Sequence, residues 1–263
     1  FNNKQCDILI ATHKILYQKI NTSNIGLLII DEEHRFGVAH KEKIKSLNTK
    51  INVLSISATP IPRTLQQALT ETDDISLIST PPKNRKPIIT QIINNSHKIP
   101  TYITYELKRN GQVFYILNNI KKLNKTKEKL KKLFPSNKIE IIHSKQPPEL
   151  KKSTLTDFIN KKIDLLISTS IIENGLDIPN ANTIIIEDID RFGLSQLHQI
   201  RGRVGRSEKQ AYAYGLVNNK NLTDTAKKRL AAIKESMFLG AGYTIAKKDL
   251  EIRGAGNLFG KEQ

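Results

Sequence analysis

The sequence has one cysteine, one methionine and no tryptophan in 263 residues. A lone thiol, Cys6, excludes an intramolecular disulfide framework and fits a reducing cytoplasm; as a residue it reads only as a small buried side chain. No apolar run approaches the roughly 18 residues of a membrane-spanning helix, and no signal-like stretch opens the chain, so no membrane partner is expected. Acid is scarce too, with 25 Asp and Glu against 42 Lys and Arg, a formal net charge of +17. That balance points to a polyanionic partner, because clustered cations release counterions from phosphate backbones. Nor does the pattern G-x-x-x-x-G-K-S/T occur, so the sequence lacks the backbone cradle, lysine and hydroxyl of a P-loop. With Phe1 first and Met237 the only methionine, it reads as an excerpt of a longer product.

Lysine, asparagine and isoleucine are abundant throughout, as under a genome-wide compositional bias, so the lysines say less than the arginines do. Only ten of the 42 basic residues are arginine, and Arg201, Arg203 and Arg206 fall within six positions. Guanidinium offers a planar bidentate fork that ammonium cannot replace. The basic stretch 121–134 has Leu123, Leu130, Leu133 and Phe134 for packing, which favours a solvated helix face over DNA contact.

The length suits about two domains. Short apolar runs at 7–12, 26–31, 52–57, 112–117, 139–144, 164–169, 182–187 and 211–217 look like buried parallel strands. Helix-like segments lie between most of them; in 148–162, Leu150, Leu155, Phe158 and Ile159 share a face. Strands alternating with helices predict an α/β fold with parallel sheets. The proline-rich, basic stretch 79–91 suits a linker. After the last strand, 222–236 carries a threonine or aspartate cap and apolar residues at Leu222, Ala226, Leu230 and Ile233, predicting a helix; a glycine-rich tail follows.

In "LLIIDEEH" a strand delivers Asp31 and Glu32 to its C-terminal edge, where ligands of open α/β sheets sit. Asp31 there suits magnesium, and Glu32 could orient and deprotonate the water attacking a nucleoside triphosphate; alone, a solvated strand end explains it equally well. Two further motifs decide. "SATPIPRTL" follows the next strand, and "QLHQIRGRVGRS" sets Gln199, Arg203 and Arg206 around Gly202 and Gly205, which let guanidinium and backbone approach a phosphate. "STSIIENGLDIP" adds hydroxyls at a strand end and a Gly175 to Asp177 turn. His13 suits a phosphate contact or a loop cap equally.

In this order the motifs resemble those of the superfamily 2 helicases and translocases: "DEEH" is similar to motif II, "SAT" to motif III, "GQVFYILNN" to motif IV, "TSIIENGLDIP" to motif V and "QIRGRVGR" to motif VI. "ILIATHKIL" resembles the DNA-contacting motif that precedes motif II. "DEEHRFGVAHKEKIK", "ATPIPRTL", the stretch from "PNANTIIIEDIDRFGL" to "AYAYGLV", and "DLEIRGAGNLFGKEQ" narrow the resemblance to the transcription-repair coupling factors. The fork-remodelling helicases come next, but they usually carry glutamine in place of Glu33 and lack the "HKE" run. The resemblance implies two RecA-like parallel-sheet domains, the first truncated at its N-terminus (1–80), a linker (81–97), the second domain (98–218) and an incomplete helical translocation motif (219–263).

It further implies ATP and Mg2+ as ligands, with Asp31 on the metal, Glu32 activating water and His34 linking that site to motif III. Arg203 and Arg206 act as arginine fingers, with Gly175, Asp177 and Gln199 on the nucleotide. Thr12, His13, Thr59, Thr169 and Ser170 serve DNA contact, and Arg229, Arg253 and Gln263 serve coupling. Implied partners are double-stranded DNA and, through parts beyond this sequence, RNA polymerase and excision-repair proteins. Without a P-loop, the chain alone is expected to be inactive as an ATPase. A fork-remodelling helicase fragment and a non-catalytic DNA-binding remnant are the competing readings.

Overall fold

The computed structural model describes residues 6–18, 21–23, 25–32, 36–46, 51–57, 76–78, 80, 86–169, 178–218, 222–235 and 242–253. Two parallel sheets organise them. In the first, β1 (Leu27–Asp31) pairs with β2 (Asn52–Ile56), with Asp31 opposite Ile56. The crossover between them contains α1 (Val38–Lys45), as parallel pairing demands. A 3-10 helix, His13–Tyr17, packs near α1. Leu27, Ile29, Val53, Leu54 and Ile56 remain exposed.

The second sheet has six strands: β3 (Ile89–Ile93), β4 (Gln112–Ile116), β5 (Ile139–Ile142), β6 (Leu165–Ser168), β7 (Ala181–Glu187) and β8 (Tyr212–Leu216), in the order β3-β8-β7-β4-β6-β5. Every pairing is parallel. The chain steps from β4 out to β5 and back to β6, then crosses to β7 on the other side of β4. Strand order thus reverses between β4 and β7, and a crevice at the C-terminal strand ends is the usual place for a ligand.

Alternation along these strands divides the core in two. Phe114, Ile116, Leu166, Ile184, Ile186 and Ala213 belong to one apolar cluster, and Val113, Tyr115, Leu117, Ile167, Ile185 and Leu216 to the other. Because both faces are buried, the strands read as continuous apolar runs. Helices α2 (Ile99–Lys108) and α3 (Ile120–Leu133) cover the second cluster through Ile99, Ile103, Leu123 and Leu130. Helices α4 (Pro148–Ile159), α5 (Leu194–Arg201), α6 (Asp224–Glu235) and α7 (Gly242–Arg253) cover the first. Burying a side chain such as Phe158 or Ile184 contributes about 1.5–3 kcal/mol. Buried Gln112 is tolerated because its side-chain amide donates to the carbonyls of Phe158 (2.7 Å) and Ile163 (2.6 Å).

Several sequence expectations change. Residues 7–12 form no strand; Ile8 and Ile10 are 80% and 93% exposed, since a strand needs a hydrogen-bonding neighbour and none lies beside this run among the described residues. Cys6 is exposed, not buried. Residues 89–93, inside the expected linker, form edge strand β3 against β8. Leu150 and Ile159 of α4 and Leu133 of α3 are exposed, the packing falling to Leu155, Phe158, Leu123 and Leu130. The region after 219 is continuous with the second sheet's core, because Leu230, Ile233 and Ile245 join its apolar cluster.

Candidate nucleotide and nucleic-acid site

Asp31 ends β1 with an exposed side chain, so its carboxylate is available at the C-terminal edge. Glu32 follows with φ +52, a left-handed conformation that strains a residue with a side chain and persists only where its surroundings impose it. Here its N–H donates to the Ile56 carbonyl (2.9 Å), extending the β1–β2 ladder one step past the strand while turning the chain away. No group of three or more His, Cys, Asp or Glu side chains could cage a metal among the described residues. His34 and Thr59 lie outside the described residues.

Thr12 is the N-cap residue of the 3-10 helix, its carbonyl accepting from Ile15 N–H (3.0 Å). His13 sets its ring edge-on to His40 (centroids 5.1 Å) and Phe36 (6.5 Å), and Tyr17 also meets His40 (5.7 Å). The segment expected at DNA is thereby joined to the residues just after the acidic run. Phe36 and His40 had no role in the sequence reading; the aromatic spacing from Phe36 to His40, one helical turn, is the signal that could have found them.

In the second sheet, Thr169 follows β6, its carbonyl accepting from Ser168 Oγ (2.6 Å). Ser170, Gly175 and Asp177 lie outside the described residues. Helix α5 carries Gln199, half-buried, and leads into Arg203, half-buried, and Arg206, exposed. Arg201 differs from both: it is 6% exposed, burial pushes its guanidinium below the usual value, and Nη2 lies 3.2 Å from His198 Nδ1. Of the arginine cluster, Arg201 is therefore built into the core, and only Arg203 and Arg206 reach the surface. Gly205 has φ +77, and a Cβ there would lie 3.1 Å from Ala211 Cβ and 3.2 Å from Ile88 Cγ1; it turns the chain and lets Arg206 follow.

The tail helices meet the same region. Arg229 of α6, half-buried, donates from Nη1 to the Phe192 carbonyl (3.1 Å), just before α5 begins. Helix α6 is capped as expected, Thr223 Oγ1 accepting from Ala226 N–H (3.2 Å). Asp249 of α7 is 1% exposed and accepts from Ser195 Oγ (3.2 Å) in the first turn of α5. It opens "DLEIRGAGNLFGKEQ", but the sequence reading gave it no role of its own, although an acid at i+4 from Ile245 and three before Ile252 stands within an apolar stripe. Arg253 ends α7; Gln263 lies outside the described residues.

Residues 1–68 match the family described as DEAD/DEAH box helicase, and residues 84–208 match the helicase conserved C-terminal domain. The transcription-repair-coupling factor of Staphylococcus haemolyticus (strain JCSC1435) is 51% identical over 259 residues, covering 98% of this chain and 22% of that protein. Its counterpart in Staphylococcus aureus (strain USA300) gives the same identity and coverage. The chain thus spans about a fifth of the length of the curated relatives it matches. Among solved structures, RecG bound to a three-way DNA junction superposes with a TM-score of 0.71 at 34% identity, covering 93% of this chain and 32% of RecG. S. cerevisiae Dbp5 bound to RNA and ADP BeF3 shares the fold at a TM-score of 0.58 and 18% identity, covering 80% of this chain and 57% of Dbp5. With the two helicase regions in succession, a parallel-sheet α/β architecture and these relatives, the chain belongs to the superfamily 2 helicases.

Proposed function

We propose that these residues form part of the motor of an ATP-driven double-stranded DNA translocase of the transcription-repair-coupling kind. In the cytoplasm such a protein walks on duplex DNA, displaces stalled RNA polymerase and brings in excision-repair proteins, the last two through parts outside this segment. The observation that carries this reading is the likeness to transcription-repair-coupling factors over 98% of the chain. The RecG likeness supports a fork remodeller as the second reading, at lower identity. Release of stalled polymerase, as against regression of a three-way junction, separates the two.

At the hydrolysis site Asp31 is the residue that would hold Mg2+, which when bound would supply positive charge against the phosphates of the nucleotide. Glu32 takes the proton of the attacking water, and His34 ties this site to the segment holding Thr59. Arg203 and Arg206 stabilise the charge that grows on the transferred phosphoryl, with Gly175, Asp177 and Gln199 beside the nucleotide. Thr12, His13, Thr169 and Ser170 hold DNA phosphates, and Arg229, Arg253 and Gln263 couple the motor to DNA.

The test is phosphate release with and without duplex DNA. The 263-residue chain is expected to show no appreciable DNA-stimulated turnover, because no P-loop lies within it. The longer protein carrying it should turn over, and Glu32→Gln should stop it. Turnover by the chain alone at the longer protein's rate, lost in Glu32→Gln, would mean the phosphate site has been assigned to the wrong place.

A further inference from the structure

Two tail helices converge on one turn of another helix. Arg229 on α6 holds the Phe192 carbonyl, and Asp249 on α7 holds the Ser195 hydroxyl; these positions bracket Gly193, the N-cap of α5. Gly193 offers no side chain to cap α5, and the contacts from α6 and α7 fall on either side of it. Asp249 is 1% exposed. An acid so deeply buried is retained against a substantial desolvation penalty, and beside the N-terminal turn of a helix it meets the positive end of the helix dipole. From that turn α5 runs straight to Gln199 and on to Arg203 and Arg206, and its interior is locked by Leu194, Leu197 and Ile200.

We infer that Asp249, through Ser195, is a positioning residue for Arg203 and Arg206: the tail sets the seat of α5, and the seat of α5 sets where those guanidinium groups stand. This rests on the function proposed above, and it goes beyond it by assigning a role to Ser195 and Asp249, to which the sequence reading gave none.

The experiment uses Ser195→Ala, Asp249→Asn and the double variant in the longer protein carrying this segment, with Ser195→Thr as the variant that keeps a hydroxyl. DNA-stimulated kcat is expected to fall about tenfold in each single variant, with the KM for ATP changed less than about twofold. The double variant should be no worse than either, because residues acting as one contact are non-additive. Ser195→Thr should restore most of the rate. Wild-type kcat in Ser195→Ala overturns the inference, and so do additive losses or parallel changes in kcat and KM. If Asp249→Asn does not fold, the Ser195→Ala and Ser195→Thr pair decides alone.

A second measurement separates this inference from the function it rests on. In the 263-residue chain, amide exchange at Leu197, whose N–H donates to the Gly193 carbonyl (2.9 Å), should quicken about tenfold in Ser195→Ala. Unchanged exchange removes the clamp whatever the enzyme does. Quickened exchange with no DNA-stimulated turnover in the wild-type longer protein keeps the clamp but overturns both its assigned role and the proposed function.

Discussion

Gly202 and Gly205 flank Arg203 and look interchangeable in the sequence, yet the structure asks different things of them. Gly202 is right-handed, with its nearest would-be Cβ neighbour the His198 carbonyl at 3.4 Å. Gly205 is left-handed and hemmed in by Ile88 and Ala211. Gly205→Ala should therefore lower stability by roughly 1–3 kcal/mol through backbone strain and overpacking, whereas Gly202→Ala should stay within about 0.5 kcal/mol of wild type. Urea midpoints at constant slope measure both, and equal losses would show that the left-handed turn is not what Gly205 provides. The sequence revealed the clustering of the arginines, because bidentate phosphate chemistry needs arginine at short spacing. It could not separate Arg201 from its neighbours, since burial of Arg201 depends on how α5 is seated. Asp249 was hidden for the same reason: its partner, Ser195, lies 54 residues away.

Seven of the eight expected strands form; in the second sheet the runs are buried on both faces and leave an unmistakable apolar signature, whereas β1 and β2 are equally apolar in sequence but largely exposed. The edge strand β3 was obscured by adjoining proline and lysine, and it pairs on one side only. The join between α2 and β4 shows how local chemistry settles such boundaries. Asn110 is left-handed (φ +56), its N–H donates to the Leu107 carbonyl (3.0 Å), and Gly111 N–H donates to the Glu106 carbonyl (3.0 Å). These are the two bonds of a Schellman stop. The fully buried Glu106 side chain then folds back over Gly111, accepting from Arg109 Nε (3.0 Å) and from Thr183 Oγ1. A Cβ on Gly111 would lie 1.6 Å from Glu106 Oε1, so Gly111→Ala must expel the carboxylate from its partners. A loss of about 2–4 kcal/mol is expected, the range for breaking a buried hydrogen-bonded charge. Adding Glu106→Ala should then cost less than it does in wild type, and strict additivity of the two in denaturant titrations would exclude the clash.

At the scale of the whole molecule the order of the motifs was legible in the sequence, although they sit on different elements: "DEEH" and "SAT" begin at the ends of β1 and β2, "GQVFYILNN" spans β4 and "QIRGRVGR" ends α5. The use of the charge was not. A net +17 suggests a uniformly sticky polycation, but not all of the 42 cations stand free: Lys127 pairs with Glu140 (2.8 Å), Lys162 with Asp157 (3.3 Å), Lys227 with Asp224 (3.1 Å), and Lys122 lies 3.7 Å from Asp188. Two of these lysines, Lys122 and Lys127, belong to α3, the most lysine-rich helix, and Lys131 of the same helix donates to the Asn137 carbonyl (2.7 Å). That helix therefore behaves as a solvated, partly neutralised face. DNA binding should then follow the number of backbone phosphates touched, not the net charge. For about six phosphates, log K falls against log salt with a slope of about −5, which is an affinity loss of about 10³ between about 50 and 200 mM salt. Because phosphate contacts position a protein without reading bases, duplexes of unrelated sequence should bind alike. Fluorescence anisotropy of labelled duplexes across a salt series reads both quantities. A slope much steeper than about −5 would mean that many more cations than about six reach DNA phosphates, while salt-insensitive or strongly sequence-selective binding would refute backbone recognition altogether.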